Sequence, residues 1–383
     1  MPGRQPTLSA YVHVPYCRVR CGYCDFNTYT ATELRGVTQS EFVSHVGLEI
    51  EQARRDFDQR DDQRSLSTVF FGGGTPTLLP SADLVSVLAS LRDAFGLEQG
   101  AEVTVEANPD TVSAEYFDQL AEGGVTRISF GVQSAVPHVL ATLDRTHDPS
   151  RVPEVVEQAR HSGLATSIDL IYGTPGESLE DWSTSLDLAA QLGVEHVSAY
   201  SLIVEEGTAL ARRIKSGELA IPDSDLQAEM YRLADARLSE MGLHWYELSN
   251  WSSGPTTQSR HNIAYWQNAD WWGFGAGAHS HVAGRRWWNV KHPAAYAQRL
   301  TAGESPELGN EVPTETERYL EDVLLGTRLA VGFPIERLSE EARHEVPALI
   351  SEGLIDGRDA LSGSVVLTLE GRLLADNVVR RLT

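Results

Sequence analysis

The sequence predicts an α/β fold in which a partial (β/α)6 barrel is followed by a smaller C-terminal α+β domain. Between residue 9 and about residue 205, short β-branched or apolar runs alternate six times with longer amphipathic segments. Several of these segments end at glycines, as helices do when the next residue is left-handed. Repeated strand–helix units of this size form a parallel sheet. An incomplete barrel is therefore favoured, and a doubly wound open sheet is the structural alternative.

Each element of the barrel is predicted from its own segment. The expected strands lie at residues 10–15, 68–74, 102–109, 127–134, 166–173 and 196–204. The expected helices include residues 42–53, 83–95, 114–124, 181–193 and 225–241. In a barrel of parallel strands, the functional groups are expected at the C-terminal ends of the strands.

We expect domain boundaries after residues 242 and 302. Residues 1–242 are the expected core domain, 243–302 a Trp- and Gly-rich connecting region, and 303–383 the C-terminal domain. A linker is expected at 303–317, followed by helices, a hairpin at 360–371 and a last helix, which is the order of a winged-helix-like domain. Residues 303–383 carry 8 Arg, no Lys and 16 Asp and Glu. We therefore expect a packing or partner module and not a DNA-binding one.

Composition narrows the function classes. The 383 residues carry a formal net charge of −23, which argues against tRNA or DNA as the main partner because nucleic-acid binders present a basic surface. No apolar run approaches the roughly 18 residues of a membrane-spanning helix. The first residues also lack the layout of a signal peptide. The expectation is a cytoplasmic protein with no transmembrane segment.

All three cysteines, Cys17, Cys21 and Cys24, lie within eight residues in the pattern C-x-x-x-C-x-x-C. Clustered thiols in a reducing compartment usually bind metal, and the alternative is three structural thiols. A zinc site would want four protein ligands. Three thiolates instead hold a 4Fe–4S cluster with one iron left open for another ligand. The spacing therefore predicts such a cluster.

Polar residues stand at the ends of several predicted strands. Gly72–Pro76 follows the second strand, where glycines let backbone approach a ligand and free N–H groups can bind a carboxylate. Glu106 ends the third strand, Gln133 ends the fourth and Asp169 lies in the fifth. Arg145 adds a fixed cation suited to a carboxylate. A helix cap or a loop contact would explain one such residue, but several at equivalent strand ends predict a shared ligand site.

These motifs resemble the radical-SAM superfamily, in which S-adenosylmethionine (SAM) chelates the open iron. Within that superfamily, the chain resembles the coproporphyrinogen dehydrogenase (HemN) family over essentially its whole length. The resemblance is carried by the segments Y-V-H-V-P-Y-C, G-G-G-T-P-T, E-A-N-P, F-G-V-Q-S, R-T-H and D-L-I-Y-G. The resemblance implies a radical-SAM barrel and one or two bound SAM molecules. It assigns no catalytic residue. By resemblance the first SAM contacts Tyr11, Gly73 and Glu106, and the second contacts Tyr23, Gly74, Thr75, Gln133, Arg145 and Asp169.

Two departures separate the chain from the dehydrogenase branch. That branch has a further cysteine where this chain has Phe26, and a longer N-terminal segment. Both features resemble the heme chaperone branch, as does an H-N-x-x-Y-W motif at 261–266. Seven of the eight tryptophans lie between residues 245 and 288, where flat rings and His261 suit a porphyrin site. The alternative is that these aromatics pack a seam and that His261 is a hydrogen-bonded core residue. Rival heme ligands are His279, His281 and His292.

The leading hypothesis is a radical-SAM heme chaperone that binds heme and delivers it to respiratory hemoproteins, often membrane-bound ones. The alternative is an oxygen-independent coproporphyrinogen III dehydrogenase, which performs oxidative decarboxylation in heme biosynthesis. A third possibility is a radical-SAM enzyme that modifies tRNA, which the acidic C-terminal domain disfavours.

Overall fold

The computed structural model describes residues 6–383, with the exception of the side chain of Thr32. Residues 1–5 of the expected core domain lie outside the described part. A sheet of twelve strands runs through the molecule, and a second sheet of two strands lies near the C-terminus. The strands are β1 (Leu8–Val14), β2 (Leu66–Gly73), β3 (Leu97–Ala107), β4 (Arg127–Gln133), β5 (Ala165–Tyr172), β6 (His196–Ser201), β7 (His244–Glu247), β8 (Asn250–Ser252), β9 (Asp270–Phe274), β10 (His279–Val282), β11 (Arg285–Asn289), β12 (Glu307–Glu311), β13 (Phe333–Pro334) and β14 (Ser364–Val365).

Helices connect the strands, and several of them pack against the outer face of the sheet. They are α1 (Phe42–Gln59), α2 (Ser81–Phe95), α3 (Ala114–Gly123), α4 (Pro137–Thr142), α5 (Val152–His161), α6 (Leu179–Leu192), α7 (Ala209–Lys215), α8 (Ser224–Glu240), α9 (Arg260–Trp266), α10 (Pro293–Thr301), α11 (Glu315–Gly326), α12 (Glu340–Ser351), α13 (Gly357–Leu361), α14 (Leu369–Leu373) and α15 (Ala375–Leu382). Gly124 and Gly193 close α3 and α6 in the left-handed conformation, as the glycine pattern predicts.

The six predicted barrel strands are confirmed, and each begins and ends within a few residues of its expected place. β1 to β6 lie side by side in chain order and pair in parallel. This sequential order is that of a barrel, because a doubly wound sheet reverses its strand order near the middle. The alternation of each strand sends residues such as Val12, Phe71 and Val105 outward, where they are fully buried against the helices. The opposite face of the sheet carries polar side chains instead.

The Trp-rich region extends the sheet on both sides of the six strands. β9 pairs in parallel with β1, and β10, β11 and β12 follow in antiparallel order. β8 pairs with β6 at the other end, and β7 forms the edge. The expected linker at 303–317 is wrong in part, because Glu307–Glu311 forms the edge strand β12. Its carboxylates bond to the arginines of β11, and this pairing holds the segment in the sheet.

The C-terminal segment packs around a core of its own, built from residues such as Val323, Leu349 and Val378. The hairpin expected at 360–371 is wrong. That segment contains the end of α13, the two-residue strand β14 and the start of α14, and β14 pairs with β13 and not with a neighbouring strand. The likeness to a winged helix and the division at residues 242 and 302 stay predictions. Among residues 6–383, no helix has the length and apolar character needed to cross a membrane.

Candidate functional site

A cavity of about 660 Å³ opens at the C-terminal ends of β1 to β6. Its walls include residues from all six strands, from the loop after β1 that carries the cysteines, and from α9. All the residues proposed for the cluster and for SAM line it, together with His261: Tyr11, Cys17, Cys21, Tyr23, Cys24, Gly73, Gly74, Thr75, Glu106, Gln133, Arg145, Asp169 and His261. The rival heme ligands His279, His281 and His292 lie outside it. The structure thus brings the predicted residues together, although their individual roles stay predictions.

The cysteine loop is held by backbone hydrogen bonds, and its thiols are free. The Cys17 N–H donates to Tyr29 O at 3.0 Å, and the Cys24 N–H donates to Cys21 O at 3.2 Å. None of the three cysteines is in a disulfide, and all are partly buried. Arg145 Nη1 donates to Cys21 Sγ at 3.6 Å, so a guanidinium lies beside the thiol. Burial raises the pKa of Cys17, and it raises that of Cys24 to about 11.

The donor set fits an iron–sulfur cluster better than a single ion. Thiolates around one zinc ion lie about 4 Å apart, which follows from a Zn–S bond of about 2.3 Å. In the described part of the chain, no three His, Cys, Asp or Glu side chains come close enough to hold one metal ion. A four-iron cluster is larger and takes one thiolate on each of three irons, which suits three cysteines spread around one loop. A bound cation would also offset the raised thiol pKa values.

The glycine loop packs directly on the cysteine loop. A side chain at Gly74 would place its Cβ 2.5 Å from Tyr16 O, and one at Gly73 would come 2.5 Å from the His13 ring. The Gly74 and Thr75 N–H groups donate to Val14 O and Tyr16 O at 2.8 Å each, and the Gly73 N–H donates to Glu106 Oε2 at 3.2 Å. The expectation of free N–H groups at these three positions is therefore wrong. The glycines serve close packing and an open cavity wall instead.

Two carboxyl groups, Glu106 and Asp169, lie half-buried in the cavity wall. The pKa of Glu106 is raised to about 8, mainly by burial and to a smaller extent by the nearby charge of Asp169. Burial also raises the pKa of Asp169, which accepts a hydrogen bond from Ser129 Oγ at 3.0 Å. Neither carboxyl forms an ion pair within the described residues. Because an unpaired buried carboxylate is costly, this wall favours a ligand that carries positive charge.

Gln133 has an unusual backbone conformation at the end of β4. Its φ of 63° lies in the left-handed region, and the register of β4 with β5 shifts between Gly131 and Gln133. Arg145 donates to Gly131 O, and a Cβ at Gly131 would stand 3.2 Å from Arg145 Nη2. Arg145 Nε is buried and has no protein partner in the described residues. A strained non-glycine residue beside an incompletely bonded guanidinium is typical of a ligand site.

His261 lies on α9 and lines the cavity from within the core. Its Nδ1 bonds with Thr68 Oγ1 at 2.7 Å and its Nε2 with Tyr265 OH at 3.0 Å, and the ring stacks on Phe70. Burial lowers its pKa to about 3. This geometry is that of a hydrogen-bonded core histidine, and a bond to iron would first require one of these partners to leave. The H-N-x-x-Y-W motif thus packs against β2 and fills one side of the cavity.

Sequence reasoning missed the residues that tie the Trp-rich region to the cysteine loop. Asn27 Nδ2 donates to Ala276 O at 3.0 Å and to Lys291 O at 2.8 Å, and Tyr29 OH donates to Asn27 Oδ1 at 3.1 Å. Behind this contact, buried Glu49 accepts hydrogen bonds from Gly275 N at 2.8 Å and Asn289 Nδ2 at 2.7 Å. The available signal was a charged residue on the apolar face of α1. No comparable signal marks Asn27.

Comparisons with known proteins agree with this architecture. The family model of the Radical SAM superfamily matches residues 11–189. The chain is 48% identical over its full length to a protein of Mycobacterium tuberculosis named heme chaperone HemW, of which it covers 96%. It is 34% identical to the Bacillus subtilis protein of the same name, with 97% of each chain covered. The solved structure of coproporphyrinogen III oxidase (HemN) from Escherichia coli superposes with a TM-score of 0.83 at 22% identity, covering 99% of this chain and 90% of that one. The last likeness concerns the fold alone.

Proposed function

Because the chain belongs to the family of radical SAM proteins whose curated members are named heme chaperone HemW, we propose that it binds heme and delivers it to hemoproteins. The observation that carries this proposal is the 48% identity over 100% of the chain and 96% of the relative. The similarity therefore extends over nearly the whole of both chains. Respiratory hemoproteins, often membrane-bound, are the recipients we propose.

Phe26 supports a carrier over a porphyrin-making enzyme. By the resemblance described above, the dehydrogenase branch has a cysteine at this position, two residues after the third cluster cysteine. Here the side chain is an apolar ring, 59% exposed, at the rim of the cavity. A phenyl ring has neither the acid–base nor the redox chemistry of a thiol. Phe26 offers a flat apolar contact in its place.

Membership of the superfamily implies a 4Fe–4S cluster and SAM, and we propose how this chain holds them. Cys17, Cys21 and Cys24 would bind the cluster. We propose that Tyr11, Gly73 and Glu106 contact a first SAM, and that a second, where present, contacts Tyr23, Gly74, Thr75, Gln133, Arg145 and Asp169. When bound, the cluster and SAM supply one-electron chemistry.

The side chains of the cavity perform binding and orientation. Glu106 and Asp169, whose pKa values are raised while no cation is near, would face the positive charge of SAM, which favours their ionised form, and Arg145 supplies a cation for its carboxylate. The closely packed glycine loop keeps one wall free of side chains, which leaves room for a ligand against the backbone. The cytoplasmic location expected above stays a prediction.

The test is a parallel assay on anaerobically reconstituted protein. One sample is titrated with hemin, and the other is incubated with coproporphyrinogen III, SAM and a reductant. We expect saturable binding of about one heme per chain and no protoporphyrinogen. Robust formation of protoporphyrinogen would instead establish the dehydrogenase alternative. A matched Phe26→Cys variant shows whether the missing cysteine alone separates the two activities.

A further inference from the structure

The segment between α4 and α5 packs directly on the cysteine loop. The N–H of Gly22, a residue between two of the cysteines, donates to Leu143 O at 3.0 Å. A Cβ at Gly22 would collide with the Asp144 carboxylate, so the two segments touch without a gap. Arg145 follows directly in this segment. The backbone contact therefore fixes the position of Arg145 relative to Cys21.

The guanidinium of Arg145 lies against the sulfur of Cys21. Its Nη1 donates to Cys21 Sγ at 3.6 Å, and its Nη2 donates to Gly131 O near the end of β4. The two bonds use both arms of the planar guanidinium and hold it in one orientation. The Tyr23 hydroxyl lies beside the thiol and the guanidinium and adds a neutral neighbour. A cation is thus fixed against one of the three proposed cluster ligands.

Cys21 differs in this respect from Cys17 and Cys24. The donors near their sulfurs are neutral groups, which are threonine hydroxyls at Cys17 and a backbone N–H at Cys24. A hydrogen bond from an ionised donor is roughly twice as strong as one between neutral groups. The contact at Cys21 is therefore the strong one of the set.

The arginines within the cysteine loop act on the sulfurs more weakly. Arg18 and Arg20 are exposed, so water and salt screen their charge. Arg20 also pairs with Glu33 at 3.2 Å, which offsets its charge. Arg145 is half-buried in the cavity wall, where screening is weaker. Its charge therefore has the larger effect on the cysteines.

A cation that donates to a ligand sulfur favours the more negative form of an iron–sulfur cluster, which is the reduced form. Hydrogen bonds to the sulfurs and nearby charge are among the factors that set the reduction potential of such a cluster. We propose that Arg145 raises the reduction potential of the cluster by donating to Cys21 Sγ, in addition to its proposed contact with SAM. This inference rests on the proposed cluster ligands. It concerns only the equilibrium between the oxidised cluster and its one-electron-reduced form.

The experiment is an anaerobic redox titration of the reconstituted full chain with dithionite, followed by electron paramagnetic resonance of the reduced cluster. No SAM is added, so an effect on the cluster is separated from an effect on SAM binding. Arg145→Met removes the charge and both donors while keeping an unbranched side chain. Its equilibrium constant for reduction should fall at least about ten-fold, which is a fall of about 59 mV for a one-electron couple. Arg145→Lys keeps the charge and should restore most of the wild-type potential.

Arg213→Met is the matched control. Arg213 bonds to the same segment, at Thr142 O with 3.2 Å, and pairs with Glu218 at 2.6 Å. Within the described part of the chain it makes no hydrogen bond to a cysteine. Its loss should loosen the segment and leave the equilibrium constant for reduction within about twofold of wild type.

The outcomes separate this inference from the proposed function. If the wild type assembles no cluster, the cluster assignment fails and the inference fails with it. If the wild type holds a cluster and Arg145→Met stays within about twofold of its equilibrium constant for reduction, only the inference is overturned. Equal falls in Arg145→Met and Arg213→Met would also overturn it, because a loosened segment would then explain both. Arg145→Gln, which also removes the charge, is judged by the same threshold if Arg145→Met does not hold a cluster.

Discussion

Replacing Gly73 by alanine should disturb both the SAM wall and the cysteine loop through a single side chain. The new Cβ would lie 2.5 Å from His13 Cε1 and Nδ1, a distance at which something must move. His13 is held by Tyr11 OH on Nδ1 at 3.0 Å and by Asn27 O on Nε2 at 2.9 Å. Any movement of the His13 ring away from the new Cβ would therefore break these two hydrogen bonds.

The magnitude follows from two contributions. The φ of Gly73 is 105°, and a left-handed backbone costs an alanine roughly 1–2 kcal/mol. Displacing His13 adds the loss of its two hydrogen bonds, at about 1 kcal/mol each. If SAM binds only with His13 in place, this second contribution of about 2 kcal/mol lowers the apparent SAM affinity roughly 30-fold.

The assay is SAM binding by isothermal titration calorimetry on reconstituted protein, with a double-mutant cycle as the internal check. Gly163→Ala is the matched control, because Gly163 has a φ of 79° but open space around its Cβ position. Gly163→Ala should lower the stability of the fold by the cost of the left-handed backbone and leave the affinity for SAM unchanged. In a His13→Ala background, Gly73→Ala should lose most of its effect. A SAM affinity within threefold of wild type for Gly73→Ala, or equal effects in both backgrounds, would refute the reasoning.

Further variants test the cluster site and its support. Cys21→Ser should abolish the visible cluster absorbance and SAM cleavage while leaving the fold and some heme binding, and surviving SAM cleavage would disprove the cluster assignment. Asn27→Ala removes three hydrogen bonds that hold the cysteine loop, so the cluster should be lost to a chelator several times faster than in wild type. Burial raises the pKa of Glu49 from 4.5 to about 7, so its contribution to stability is complete below about pH 4.5 and falls by about 3 kcal/mol as pH rises through 7. The melting temperature of Glu49→Gln relative to wild type should therefore rise between pH 5 and pH 8, and a constant difference would contradict the assigned pKa.

The barrel strands could be predicted because their signal is local. Each of β1 to β6 is a short apolar run followed by a helix, and buried parallel strands have this composition wherever they occur. The sequential order follows from the repeated strand–helix unit, since consecutive units dock side by side. Glu106, Gln133 and Asp169 could be proposed as ligand-site residues for the same reason, because strand ends can be located as soon as the strands are.

The remaining features depend on contacts between distant segments. β9 pairs with β1 across about 260 residues, and its segment W-W-G-F lacks the alternation of an isolated strand. β12 was expected to be a linker because Gly, Pro and Glu are common there, yet the arginines of β11 hold it in the sheet. The engagement of His261 depends on neighbours that no spacing reveals.

The most direct test of the central claim is a heme transfer measurement. Purified chain is loaded with one equivalent of heme and mixed with a heme-free recipient hemoprotein, and the recipient spectrum is followed over time. The account predicts transfer faster than spontaneous dissociation of heme into buffer, which a heme-scavenging protein measures in parallel. Transfer at the same rate as passive dissociation would contradict the claim that this chain is a heme chaperone.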